Sequence, residues 1–184
     1  MQALSWQKYP SSWWSSGIHA YIDNKVFVLA QTPQHKKLLR AARVHHHLRT
    51  PAEGKLDACV LPKKNRMFWG IPTIEITAAV AQDRVILWHV TEGSWNGQAA
   101  ADMYGALGKS LRKRYGGKRK FNVVEDGDTK GFQSSKGKQA KTKERIKSWM
   151  LPPRSPGWMP LDYSLWNEIE HRVLSQVGHE QETK

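Results

Sequence analysis

Cysteine is nearly absent from this 184-residue chain. Cys59 stands alone, so no disulfide can form within it and a reducing compartment suits it. Long apolar runs are missing too; none approaches the roughly 18 residues of a membrane-crossing helix. The opening residues, MQALSWQKYPSSWW, lack the apolar stretch of a secretory leader, and secretion is not expected. Acidic residues are scarce. Asp and Glu number 16 against 29 Lys and Arg, which leaves a net charge of +13 and a pI near 10.0. That imbalance points to a polyanionic partner, most simply nucleic acid. An anionic membrane surface is disfavoured, because no long basic amphipathic helix is visible. Neither an internal repeat nor a linker-bounded second domain appears. The chain reads as one domain over 1–184, with a core at about 17–178, and is large enough to bury a substantial interior.

What is present reads as alternating strands and helices. From His19 to Ala30, Tyr21, Asp23, Lys25 and Phe27 share one parity and Ile22, Val26 and Val28 the other, which predicts a strand. The basic stretch up to Arg66 is broken by Pro and Gly and predicts irregular or hairpin structure. Met67 to Val80 and Arg84 to Val90 read as two strands joined at Ala81-Gln82-Asp83. Ser94 is a candidate N-cap for a helix with Ala99, Met103, Ala106, Leu107 and Leu111 as its apolar stripe. Lys109, Arg112, Lys113 and Arg114 suit that helix's C-terminus, and Gly116-Gly117 ends it. Phe121 to Glu125 is a short strand that delivers Asp126 at its end. The run Thr129 to Lys147 reads as helical in its second half, Trp149 to Leu151 as a strand, and Pro160 to Val177 as a final helix. The segment SWQKYPSSWWSSG is too broken for a long element. Periodicity alone supports a mixed α/β domain.

Three aspartates have distinctive flanks: Asp23 in IHAYIDNKVFVL, Asp126 in FNVVEDGD and Asp162 in LPPRSPGWMPLDYSLW. Two carboxylates on strands and a third on a helix can hold Mg²⁺ or Mn²⁺, since hard cations favour oxygen ligands. A pair of such ions can clamp the attacking and leaving oxygens of a phosphoryl displacement. Singly, each aspartate is more simply a surface or capping residue; for Asp162, in the first turn of a helix, the dipole favours a carboxylate without any metal.

The flanks resemble those of the mariner superfamily of cut-and-paste DNA transposases. Arg154-Ser155-Pro156 followed by Pro160-Leu161-Asp162-Tyr163-Ser164-Leu165-Trp166 is similar to that family's last catalytic motif. Arg66-Met67-Phe68-Trp69-Gly70 is similar to its VMVWG strand, and Val124-Glu125-Asp126-Gly127-Asp128 to its middle motif. Asn24, Glu125, Gly127 and Gly157 depart from the family's residues, and the spacing from Asp126 to Asp162 is one longer than usual there.

The resemblance covers roughly residues 5 to 178. It implies an α/β, ribonuclease H-like mixed sheet flanked by helices. It also implies a Mg²⁺- or Mn²⁺-dependent enzyme with two ions per site, in which Asp23, Asp126 and Asp162 are both catalytic and metal-binding. The implied activity is strand cleavage at transposon ends followed by strand transfer. The alternatives are a nuclease of the same fold that only hydrolyses, or a decayed or domesticated transposase that only binds DNA. Double-stranded DNA is the implied partner, with a homodimer as the working form. The implied localisation is nuclear in a eukaryote and cytoplasmic otherwise. Relatives carry helix-turn-helix readers ahead of the first catalytic strand, and the residues before Asp23 are too few for one.

The remaining features are read more plainly. Lys36, Lys37, Arg40, Arg43, Arg49, Lys63, Lys64, Arg66, Lys130, Lys136, Lys138 and Arg154 are the candidate phosphate contacts, and Trp158 the candidate base-stacking residue. His45-His46-His47 cannot all meet one ion in an extended segment, because adjacent side chains alternate faces. Asp128 reads as a loop or supporting carboxylate. Trp69, Trp88 and Trp166 lie in apolar patterns and read as core.

Overall fold

The computed structural model describes residues 9–28, 73–117, 119–151, 159–169 and 172. His45 to His47, Cys59, Trp69 and the basic residues from Lys36 to Arg66, together with Arg154 and Trp158, lie outside these. The chain divides into two compact units, Met1–Lys25 with Glu75–Lys184, and Val26–Ile74. The described part of the second is confined to 26–28 and 73–74.

A short helix α1 (Ser11–Ser16) precedes strand β1 (Ala20–Val28). Next come β2 (Thr73–Val80), β3 (Val85–Thr91), helix α2 (Gly97–Tyr115), β4 (Phe121–Glu125), helix α3 (Ser135–Lys143) and β5 (Ile146–Met150). The strands form one five-stranded sheet in the order β3-β2-β1-β4-β5. β2 and β3 are antiparallel, joined by the tight turn at residues 81–84, where Ala81 N donates to Arg84 O. β4 runs parallel to both β1 and β5. Parallel neighbours need a crossover, and α2 and α3 supply the connections into β4 and β5. The expected mixed sheet flanked by helices is present.

The core lies between α2 and the sheet. α2 buries Ala100, Met103, Tyr104, Leu107, Gly108 and Leu111, against Ala20 and Ile22 of β1, Phe121 and Val123 of β4, and Phe132. Each large apolar side chain so enclosed stabilises the fold by about 1.5–3 kcal/mol. The buried stripe runs through Ala100, Tyr104 and Gly108; Ala99 and Ala106 from the expected stripe are half-exposed.

Three local expectations need correction, and the segment expected to hold no long element forms only a short helix. The N-cap of α2 is Asn96, not Ser94: the Asn96 side chain accepts hydrogen bonds from Gln98 N and Ala99 N, while the Ser94 carbonyl accepts from the Asn96 amide. Asn outcompetes Ser here because its amide can serve both ends of the turn. β5 begins at Ile146 rather than Trp149. Arg145, with φ 59, reverses the chain straight after α3, so pairing starts at Phe121↔Ile146. SSWWSS forms a full helical turn, its tryptophans packed with Tyr9 and Trp149 at ring separations of 4.4–6.5 Å. Trp88 is not core: it is 47% exposed on β3, a strand at the sheet's edge. Trp166 is fully buried.

Candidate active site

The site begins with the parallel pairing of β1 and β4. Their register matches Ala20 with Val123 and Tyr21 with Val124. Two residues further on, the same register sets Asp126 opposite Asp23. Asp23 points from β1 and is buried; Asp126 follows the last residue of β4 and is exposed. Asp162 enters from the other end of the sequence, in a π-helical turn over Leu161–Leu165. That turn closes with Trp166 N donating to Leu161 O, one residue wider than an α-helical bond. Leu161 and Trp166 are fully buried, so the turn is anchored on both sides of the exposed Asp162.

Trp166 locks the arrangement. Its indole Nε1 donates to Asp23 Oδ2 at 2.6 Å across 143 residues of sequence. One face of the helix thus carries Asp162 and, one turn on, the donor that fixes Asp23. The exposed Trp88 ring stacks edge-on against Trp166, 6.1 Å between centroids. Sequence reasoning placed Trp166 in the core and missed this role. Its only signal is the four-residue spacing from Asp162.

The three carboxylates feel one another. Burial pushes the Asp23 carboxyl up to about 6; the Trp166 hydrogen bond opposes this, and the charges of Asp162 and Asp126 add to it. Asp126 is also raised, by burial first, with the charges of Asp128 and Asp162 contributing against a hydrogen bond from Asp128 N. Among the described residues no set of three His, Cys, Asp or Glu side chains is close enough to enclose an ion. Mg²⁺ in phosphoryl-transfer sites takes only one or two carboxylates, the rest of its shell being water and substrate phosphate. Carboxylates whose charges press on one another fit that requirement.

Asp128 has a different task. Its Oδ2 accepts from Trp95 Nε1 at 2.7 Å, Gly131 N at 2.7 Å and Phe132 N at 3.2 Å, and its Oδ1 accepts from Lys130 N at 3.1 Å. Burial acts to raise its pKa, but these four donors outweigh it and hold the carboxyl below the usual range. A carboxylate so occupied organises the loop after β4. Gly131 is required there, since a Cβ would meet the Trp95 ring at 2.2 Å.

Behind Asp126 lies a sealed polar network. Glu125 is fully buried and accepts from Tyr104 OH at 2.5 Å, Gln133 Nε2 at 2.8 Å and Lys141 Nζ at 2.5 Å. Burial, then the Glu125 charge, raise the Tyr104 phenol well above its ordinary value. Of the expected phosphate contacts, Lys130, Lys136 and Lys138 are exposed, and Lys136 donates to Gln98 at 3.0 Å. A cleft of about 410 Å³ between α2 and α3 is lined by Gln98, Asp102, Lys136 and Glu144 and contains none of the three aspartates.

This fold is that of solved ribonuclease H-like transposase domains. The Mos1 transposase catalytic domain, solved with raltegravir and Mn, matches with a TM-score of 0.57 at 10% identity, covering 89% of this chain and 66% of that one. The Mos1 mariner paired-end complex with Mn gives 0.55 at 15% identity, covering 84% of this chain and 41% of that chain. The Mos1 strand transfer complex gives 0.55 at 12% identity, with 93% and 44% covered. The chain therefore spans less than two thirds of the length of these structures. No protein-family model matches it, and no curated protein does.

Proposed function

We propose that this chain is the catalytic domain of a mariner-type DNA transposase, which cuts DNA at transposon ends and joins the freed ends to target DNA. The observation that carries the reading is that the β1–β4 register, carried on by two residues, brings Asp126 level with Asp23, and that Trp166, four residues after Asp162, donates to Asp23, in a fold shared with Mos1. Neither the sequence distance between these residues nor their charge would bring them together without a purpose. The charges of Asp162 and Asp126 act on Asp23, and that of Asp162 on Asp126, which supports the reading.

In the proposed reaction, water attacks a backbone phosphorus, the bond from phosphorus to one sugar oxygen breaks, and a 3′-hydroxyl and a 5′-phosphate are left. In the second step that 3′-hydroxyl attacks a phosphorus of target DNA and a new sugar oxygen departs. Asp23, Asp126 and Asp162 would hold Mg²⁺ or Mn²⁺, two ions per site, which when bound supply Lewis acidity and charge neutralisation. The chain's own residues do the positioning. Trp166 fixes Asp23 Oδ2 through its indole N–H. The π-turn presents Asp162 between two buried residues, and the Asp128 backbone N–H donates to Asp126 Oδ1. Positioning and electrostatic stabilisation are the main contributions a protein makes to phosphoryl transfer. Double-stranded DNA is the proposed substrate, and a homodimer gripping two ends the proposed working assembly.

The test is direct. Purified chain incubated with Mg²⁺ and labelled duplex DNA should nick it, and should join a pre-cut 3′-hydroxyl end to a plasmid. Nicking without joining would leave a hydrolytic nuclease. Binding without either would overturn the enzyme reading.

A further inference from the structure

The end of the sheet opposite the aspartates is basic, and contacts define it closely. Tyr115, the last residue of α2, donates through its hydroxyl to His19 O at 3.1 Å, and His19 accepts at Nδ1 from Asn122 N at 3.0 Å. Arg114 pairs with Asp83 of the β2–β3 turn. Arg119 and Lys120 directly precede Phe121, the first residue of β4, whose neighbour Asn122 bonds His19; burial, then the charge of Arg119, hold His19 below its ordinary pKa. His19 and Asn122 each precede their strand's aspartate by four residues, roughly 13 Å at 3.3 Å per residue. The two ends of the sheet are therefore distinct surfaces.

The carboxylates at this end are already committed. Asp83 pairs with Arg84 and Arg114, and Glu144 pairs with Arg112. Lys113, Arg119 and Lys120 are exposed, and none of them pairs with a carboxylate among the described residues. The dipole of α2 accounts for cations within its last turn. It does not account for Arg119 and Lys120, which lie beyond the helix and converge on the same end. Like charges held together by rigid elements repel unless an anion sits among them.

We propose that this pole grips the sugar-phosphate backbone of duplex DNA, so that the chain touches DNA at both ends of its sheet. The choice of DNA as the polyanion rests on the transposase reading; the existence of an anion-binding pole does not. Backbone contacts need only charge and reach, and the pole reads no sequence.

The experiment measures affinity of the whole chain for a 30-base-pair duplex across a range of salt. Lys113→Gln, Arg119→Gln and Lys120→Gln are combined in one variant, and Lys113→Arg, Arg119→Lys and Lys120→Arg in another. Each phosphate neutralised contributes about −0.9 to the slope of log K against log[salt]. The Gln variant should show a slope shallower by about 2.7, the charge-retaining variant an unchanged one. Mg²⁺-dependent nicking at saturating DNA should be the same in all three proteins. Asp23→Asn should keep the wild-type slope, so loss of cleavage and loss of the pole read out separately. An unchanged slope in the Gln variant would overturn the proposal. So would a Gln variant that loses binding to phosphatidylserine vesicles while its duplex binding stays intact, since the pole would then serve a membrane.

Discussion

Two buried carboxylates on adjacent strands are treated in opposite ways. Glu125, at the end of β4, is sealed in with Lys141, Tyr104 and Gln133, and its charge is matched inside the protein. Asp23, on β1, accepts from the Trp166 indole and from the Asn24 backbone, and the charges of Asp162 and Asp126 press on it. Isolated buried charges cost several kcal/mol, and a protein normally either pairs them or lets them take up a proton. Glu125 is paired. Asp23 is pushed up to about 6, toward protonation, with no matching charge beside it among the causes that shift it. The contrast separates a carboxylate matched inside the protein from one that, on the proposed function, is kept for chemistry, although both are buried.

The largest effect that sharpens this contrast is on activity. Asp23→Asn, Asp126→Asn and Asp162→Asn should each reduce Mg²⁺-dependent cleavage by a factor of about 10³ or more, because about 1.4 kcal/mol of lost transition-state stabilisation is tenfold. Asp128→Asn should be far milder, since its carboxylate serves Trp95 and three backbone amides. Single-turnover rates on a nicked duplex would decide. Equal loss from Asp128→Asn would erase the distinction between the two aspartates of the β4 loop.

The next effect is on stability at the other carboxylate. Lys141→Met leaves Glu125 buried without its cation and should destabilise the fold by about 3–5 kcal/mol. Adding Glu125→Gln should recover much of that, because an amide can still accept from Tyr104. Urea midpoints of the single and double variants measure both. A Lys141→Met protein as stable as wild type would mean the pair is not what holds α3 to β4.

The scaffold of this comparison was largely legible in the sequence, and its energetics were not. Alternation through Asp23 and the apolar run before Asp126 foretold β1 and β4, because a pleated strand repeats every two residues. The glycines after Tyr115 foretold where α2 stops. The parallel register that sets Asp23 and Asp126 opposite each other depends on pairing between distant segments, which no local pattern encodes. Trp166 looked like core because an indole in an apolar stripe carries no mark of where its N–H points. Glu125 and Lys141 were equally opaque: each looks like an ordinary charged residue until the fold makes them partners. Trp88 failed in the other direction. It has strand-like neighbours, but β3 is an edge strand, and edge position is a property of the sheet's order.

A smaller effect turns on pH. The Asp23 carboxyl is pushed up to about 6 from 3.8, so the folded state holds its proton more tightly than the unfolded chain does. The stability this contributes is fully present below about pH 4 and is lost as pH rises through about 6. In metal-free solution Asp23→Asn should therefore be more stable than wild type at pH 7.5, by about 1–3 kcal/mol, and the two should converge near pH 4. Added Mg²⁺ should raise the wild-type melting temperature and leave the variant's unchanged. A variant less stable than wild type at pH 7.5 would mean that the Trp166 hydrogen bond outweighs the crowding.

The same logic applies, at lower stakes, to two buried threonines. Thr77 on β2 is fully buried, and its hydroxyl accepts from Asn24 Nδ2 at 3.1 Å. Thr91 at the end of β3 is 7% exposed, and its Oγ1 has no hydrogen-bond partner among the described residues. Valine has nearly the same shape as threonine and carries no polar atom to desolvate. Thr91→Val should therefore stabilise the fold by about 1 kcal/mol, while Thr77→Val should cost about the same by removing the acceptor of an Asn24 Nδ2 hydrogen bond. For a chain of this length the difference corresponds to melting temperatures moving roughly 2–4 °C in opposite directions. Calorimetry at one pH, with both variants beside wild type, resolves shifts of that size. If both substitutions moved the melting temperature the same way, the unmatched hydroxyl of Thr91 would be no different in energy from the matched one of Thr77. Hydrogen-bond satisfaction would then no longer explain what separates Glu125 from Asp23.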